Sequence, residues 1–401
     1  MAARTPIEWT GDTWNPIVGC SLQSPGCTHC YAMRVAARLA AISLAYEAKH
    51  GTPGPLAHYR GTTTKVKGKA VWTGAINVAP DDIFLAPMRR KKPTTYFVNS
   101  MSDLFHPDVP IEVVDRVFAT MAQCPQHVFQ ILTKRPDLMR AYITAAGRAG
   151  SSYWLEVAGC MLVEALEGAP PPPWPLPNVW LGTSVEDQTR AHERIPDLLN
   201  TPAAVRWLSC EPLLGALDLT RICLVPKLPL GKKAGIHIDA LRGRYVESGM
   251  PYVGDWDVNR PYPEGATARS LDWIVAGGES GPQARAMHPD WARGLREHCG
   301  ATCVPFFFKQ HGDWVSVSEV EGKGRHHQFP DGATVRRVGK KKAGRLLDGV
   351  LHRHARFECI QGLRPLPVQS DLDDGGEPKT NPRRQSVRSE HRDLALDDAC
   401  I

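Results

Sequence analysis

Three cysteines stand close together near the start of the chain, Cys20, Cys27 and Cys30, in a stretch that reads WNPIVGCSLQSPGCTHCY from Trp14 to Tyr31. The spacing C-x6-C-x2-C puts three soft donors on one loop, because Asn15-Pro16 before them and Ser24-Pro25-Gly26 between them are turn formers. A run of strong helix formers begins at Tyr31 and is closed by Gly51 and Pro53. The loop therefore enters a helix N-terminus, where aligned amides favour thiolates and bound anions. Structural zinc takes four ligands, commonly as two close pairs, and this sequence offers one C-x2-C pair with an outlying Cys20. A [4Fe–4S] cluster on three thiolates keeps one iron open, and S-adenosylmethionine is the expected occupant of that position. Zinc, or no metal, are the alternatives for a motif this short.

Six short runs of strand formers recur downstream: Thr95 to Asn99, Val128 to Leu132, Val179 to Gly182, Val205 to Ser209, Trp273 to Ala276 and Val304 to Phe308. With a first strand inside Ile7 to Val18 the total is about seven. Their near-continuous apolar character suits strands buried on both faces of a parallel sheet. Helical patterns such as Ile111 to Cys124 and Asp290 to Cys299 lie between them. The alternation predicts an α/β fold, a partial or complete TIM-like (β/α) barrel.

In such a barrel the C-terminal strand ends converge on one mouth, so polar residues there are the site candidates. Asn99, Ser100 and Asp103 follow the second strand, Thr133, Lys134 and Arg135 the third, and Ser184, Glu186 and Asp187 the fourth. Glu211 follows the fifth, Gly277-Gly278-Glu279 the sixth, and Lys309 with Gln310 the last. Carboxylates gathered at four strand ends predict a cationic ligand. Singly, Asp103, Ser184 and Asp187 serve equally well as helix caps. Trp9 and Trp14 are expected to pack beneath the cysteines.

The segments IEWT (Ile7 to Thr10), WNPIVGC and SPGCTHCYA (Ser24 to Ala32) resemble the phage and prophage three-Cys-motif family of radical-SAM-like proteins. The similarity continues through FVNSMSDLFH, ILTKRPDLM, LGTSVEDQ, WLSCEPLLG, IVAGGESGP, MHPDW and PFFFKQHGDW, ending at Trp314. The cysteine spacing departs from the usual C-x3-C-x2-C of radical-SAM enzymes. The resemblance implies a partial barrel with the cluster loop after the first strand, Cys20, Cys27 and Cys30 holding the cluster. It implies cleavage of S-adenosylmethionine to a 5′-deoxyadenosyl radical that takes hydrogen from a substrate, with electrons from an external donor. Ser100 or Asp103 stands where the superfamily places a Gly-Gly-Glu for the amino group, Ser184 and Glu186 where it contacts the ribose, and His29 where it stacks adenine. Glu211, Glu279 and Lys309 are the candidate catalytic groups, and a three-Cys-motif partner protein is implied. The competing expectation is a non-catalytic zinc or iron–sulfur protein that docks nucleic acid or a partner.

A chain of 401 residues with 42% hydrophobic content can bury one large core or two modest ones. It has no apolar run long enough to cross a membrane and no secretory-type N-terminus, which predicts a cytoplasmic protein whose eleven cysteines stay reduced. Five basic and eight acidic residues follow Ser370, so the net +6 rises to +9 over the rest. Arg89-Arg90-Lys91-Lys92, and Arg336-Arg337 with Lys340-Lys341-Lys342, suit a nucleic acid or nucleotide, or else a solvated surface. The expected organisation is a barrel domain over 1–349, insertions near 52–80 (with a hairpin) and 222–270, and a disordered tail over 350–401.

Overall fold

The computed structural model describes residue 5 and residues 7–150, 172–224, 237–247 and 269–353. Seven strands form one sheet in sequence order: β1 (Asp12–Trp14), β2 (Thr95–Val98), β3 (Val128–Thr133), β4 (Val179–Ser184), β5 (Val205–Cys210), β6 (Trp273–Gly277) and β7 (Phe306–Gln310). Each pairs in parallel with the next, and the sheet curls as a half-barrel. The apolar runs are thus the strands. The last one starts later than expected because Pro305 lacks an N–H; it offers only its carbonyl, to Ile274 N at 3.0 Å.

Helices α1 (Tyr31–His50), α2 (Ile111–Ala122), α3 (Pro136–Ala149), α4 (Gln188–Asn200) and α5 (Pro289–Gly300) join successive strands. Apolar residues at helical spacing, such as Val114, Val117, Phe118 and Met121 of α2, pack with Tyr96, Phe129, Leu181, Leu208 and Ile274 of the sheet's outer face. Each side chain fully buried there is worth about 1.5–3 kcal/mol. α1 ends where Gly51 turns left-handed at φ 70° and donates to Glu47 O at 2.8 Å.

The inner face is filled by indoles. Trp207 and Trp273 lie 5.4 Å apart between ring centres, with Trp9 5.0 Å from Trp207 and Trp180 6.1 Å from Trp273. Gly182 makes room for this floor, since a Cβ there would sit 2.5 Å from the Trp207 ring. Trp9 joins this indole floor. Trp14 does not; it packs on the outer face against Phe84 and Phe129 and donates to Phe84 O at 3.0 Å.

The hairpin expected in 52–80 is Thr63–Val66 with Lys69–Trp72. Within 222–270 the described residues form a three-stranded antiparallel sheet. A compact unit runs Met1–Arg356, past the expected boundary at 349, because Leu346–Leu347 pairs with Val350–Leu351 and Phe308 N donates to His352 O at 3.1 Å. The tail expected to be disordered lies, beyond 353, outside the described residues. No helix among the described residues is long and apolar enough to cross a membrane.

Candidate metal and cofactor site

The cysteine loop leaves β1 through Gly19, which is left-handed at φ 102° and so close to Ala75 O that a Cβ would stand 2.0 Å from it. Cys27 ends a short 3-10 turn and Cys30 immediately precedes α1. The first amides of α1, at Ala32 and Met33, donate to the Cys30 thiol, the anion-favouring arrangement expected of a helix start. Burial still outweighs them and raises its pKa. Burial, followed by Asp103, pushes Cys20 up to about 12, against the pull of Arg135. Cys20 feels Cys30 and Cys27, and Cys30 feels Cys27, so the three thiols share one neighbourhood. Among the described residues, His288, Asp290 and Asp331 bring three metal-type donor atoms within 4.8 Å of one another. In this group, His288 caps α5 through Nδ1 and meets Asp331 through Nε2.

Three buried charged assemblies pin the loop. Glu186, fully buried after β4, accepts from Ser24 Oγ, from Gly26 N at 3.0 Å and from Arg194 Nη1 at 3.0 Å, with Lys134 Nζ at 3.4 Å. Burial alone would raise its pKa, but Lys134, Arg194 and the Ser24 and Gly26 donors hold it below the ordinary value. Glu279, after β6, accepts three bonds from Arg285 at 2.6–2.8 Å, and Arg285 Nη1 donates to Pro25 O at 2.9 Å. Asp103, after β2, accepts from Thr133 Oγ1, Lys134 N, Phe105 N and Arg135 Nη1. Arg135 reaches on to Ser21 Oγ at 2.9 Å, next to Cys20. The oxygens of Asp103, Glu186 and Glu279 are therefore engaged by protein donors, and bracing is the role the geometry gives them.

The expected need for a cationic ligand is overturned. Glu186 has Lys134 and Arg194, Asp103 has Arg135, Glu279 has Arg285, and Glu211 has Lys309 at 3.3 Å. Cations outnumber carboxylates, which suits a negatively charged set of thiolates. Nor does Asp103 cap a helix: it closes a local turn onto Phe105, and α2 starts later at Ile111. Asp187 does cap α4, accepting from Arg190 N at 2.9 Å.

Ser184 is likewise occupied, accepting from Lys134 Nζ at 2.9 Å. Ser100 Oγ donates to Asn15 Oδ1 at 3.1 Å, and its carbonyl takes the Tyr31 hydroxyl. Asn99 is different. It stands at the end of β2 in the left-handed region at φ 61°, 2% exposed, with neither side-chain amide atom hydrogen-bonded. An orphaned buried amide is costly unless something else satisfies it.

Glu211 and Lys309 form a half-buried pair above the indole floor, and Trp9 Nε1 donates to Glu211 Oε2 at 3.3 Å. His29 is half-buried; burial lowers its pKa, Glu279 opposes that, and Arg285, Lys69 and Arg34 reinforce it. The Gly277-Gly278 doublet is explained by packing, since Cβ atoms there would stand 2.7 Å from Glu211 Oε1 and 2.0 Å from His311 O.

The unit that carries this loop, its braces and its barrel matches a family model over residues 4–356, and the description of that family is protein of unknown function (DUF5131). The chain belongs to this family. No curated protein and no solved structure matches it. Every candidate residue named above falls inside the family's span. Sequence reasoning missed Arg285 and Arg194, which lie six and eight residues after the glutamates they meet and have no local signal. Lys134 and Arg135 were visible as strand-end residues, though not as braces.

Proposed function

We propose that the protein is an iron–sulfur enzyme of radical-SAM type, with Cys20, Cys27 and Cys30 holding a [4Fe–4S] cluster that binds S-adenosylmethionine. The observation that carries this reading is the loop itself: three thiols on one segment at the mouth of a parallel half-barrel, braced by Glu186, by Glu279 through Arg285, and by Asp103 through Arg135. The excess of cations around the mouth supports thiolates that burial alone would keep protonated.

When bound and reduced, the cluster supplies the electron that cleaves S-adenosylmethionine to methionine and a 5′-deoxyadenosyl radical. The chain's own part is positioning. Asn99 takes the place expected of Ser100 or Asp103, offering an unspent donor and acceptor to the amino-acid end of the cofactor. His29 lies beside Cys30 where adenine would stack. Glu211 and Lys309 bound the space over the indole floor and orient the substrate's polar groups. The indoles exclude water from below.

The test is protein purified without oxygen. Near four irons and four sulfides per chain, with 5′-deoxyadenosine formed on adding dithionite and S-adenosylmethionine and lost when Cys20, Cys27 or Cys30 becomes Ala, is the expected result. Stoichiometric zinc with no cofactor cleavage would overturn it in favour of a binding protein.

A further inference from the structure

Residues 21–80 contain seven Lys or Arg and a single acid, Glu47, so this stretch alone carries a net +6, as much as the whole chain. Glu47 is itself paired with Arg60. Arg34 and Arg38 are exposed and four residues apart on α1, hence on one helix face. The hairpin packs on α1 through Trp72, which joins Met33 and Ala36 in a small core. Its turn, Lys67 at φ 48° and Gly68 at φ 79°, is the doubly left-handed kind that matches strand twist, and it presents exposed Lys65, Lys67 and Lys69. Among the described residues no carboxylate pairs with any of these five cations. Lysines on a hairpin also deter edge-to-edge pairing, but that gives no reason for Arg34 and Arg38 on the helix.

The patch adjoins the cysteine mouth. Lys69 Nζ meets Gln283 Oε1 at 2.5 Å, and two residues on, Arg285 grips Pro25 of the cysteine loop. Arg34 borders the same segment at Gly281, 3.4 Å from where a Cβ would be. The neighbouring carboxylates of Glu186 and Glu279 are spent on the protein's own cations.

We infer that the hairpin and the adjoining face of α1 dock the phosphodiester backbone of a nucleic acid, held by Lys65, Lys67, Lys69, Arg34 and Arg38, and so present a nucleotide to the cysteine mouth. This names the substrate class of the proposed enzyme and rests on that reading only for the chemistry; the docking itself needs neither cluster nor cofactor. The most conspicuous basic residues of the sequence are placed or occupied otherwise. Arg89 to Lys92 precedes β2 at the opposite end of the sheet, where Arg90 pairs with Asp12 at 2.9 Å. Arg337 is bound to Asp313 and to the carbonyls of Gly281 and Pro282.

The test is fluorescence anisotropy of the full chain with labelled single-stranded DNA, the matching RNA and the duplex, each of about 20 nucleotides. For at least one of them, log Kd should rise with log salt with a slope of about 4, as expected for five cations meeting phosphates. Lys65→Glu/Lys67→Glu/Lys69→Glu should weaken binding about tenfold or more and lower that slope by about 2, while Lys91→Glu/Lys92→Glu changes Kd less than about twofold. The arm that binds tightest identifies the strand. No binding in any arm, equal losses in both variants, or equal affinity for polyglutamate would overturn the inference. A protein that cleaves S-adenosylmethionine but fails here loses only the docking surface. One that binds here but holds zinc loses only the radical chemistry.

Discussion

Glu186 is buried yet charged, and its value depends on that charge. It neutralises Lys134 and Arg194 while holding Ser24 and Gly26 between two of the cysteines. Glu186→Gln would leave those cations without their partner, a loss of about 3–5 kcal/mol for a buried ion pair, and would loosen the loop. Its pKa is depressed in the folded state, so its contribution is fully present above the unfolded carboxylate value of about 4.3 and is lost as pH falls through the lower folded value. Urea unfolding should therefore show a stability gap between wild type and Glu186→Gln at neutral pH that narrows as pH falls below the unfolded carboxylate value of about 4.3; a gap constant with pH would contradict the charged brace. Asn99 is the opposite case, a polar residue with no structural duty. Asn99→Gly keeps the left-handed backbone and removes an unsatisfied amide, so the melting temperature should hold or rise. 5′-Deoxyadenosine formation should nonetheless fall about tenfold or more, the worth of a lost positioning contact. A destabilised variant with normal turnover would show that the amide is merely structural. Neither residue's role was legible beforehand, because a polar residue at a strand end looks the same in sequence whether it meets a ligand, nothing, or an arginine a few residues on.

At the level of elements, the strands were legible because parallel strands buried on both faces must be apolar almost throughout, as in Phe306 to Phe308. What could not be read was which face each residue joins. Trp180, Trp207 and Trp273 sit at alternating positions that send them inward, while their neighbours Leu181, Leu208 and Ile274 join the helical side. Trp9 meets this floor from outside the sheet, a contact no local pattern announces. The floor is close-packed, and Gly182 is its tightest point. Gly182→Ala would put a methyl 2.5 Å from the Trp207 ring and should cost about 1–3 kcal/mol of stability, measurable by chemical denaturation. A neutral result would mean that the indoles have room to shift.

Across the molecule, the sequential order of seven parallel strands brings residues as distant as Ser24, Asp103, Glu186 and Glu279 to one mouth. Chain order made that convergence predictable in outline, and it places Arg89 to Lys92 at the other end of the sheet. The basic surface beside the mouth went unread because its charges are dispersed over a helix and a hairpin and join only on folding. On the proposed function, the pinned cysteines carry a cluster with one iron left open to S-adenosylmethionine. The most direct measurement is electron paramagnetic resonance of dithionite-reduced protein prepared without oxygen, recorded before and after adding S-adenosylmethionine. The account predicts a reduced-cluster signal that changes shape when the cofactor is added and is missing in Cys27→Ala. A silent zinc protein, or a cluster signal indifferent to the cofactor, would contradict it.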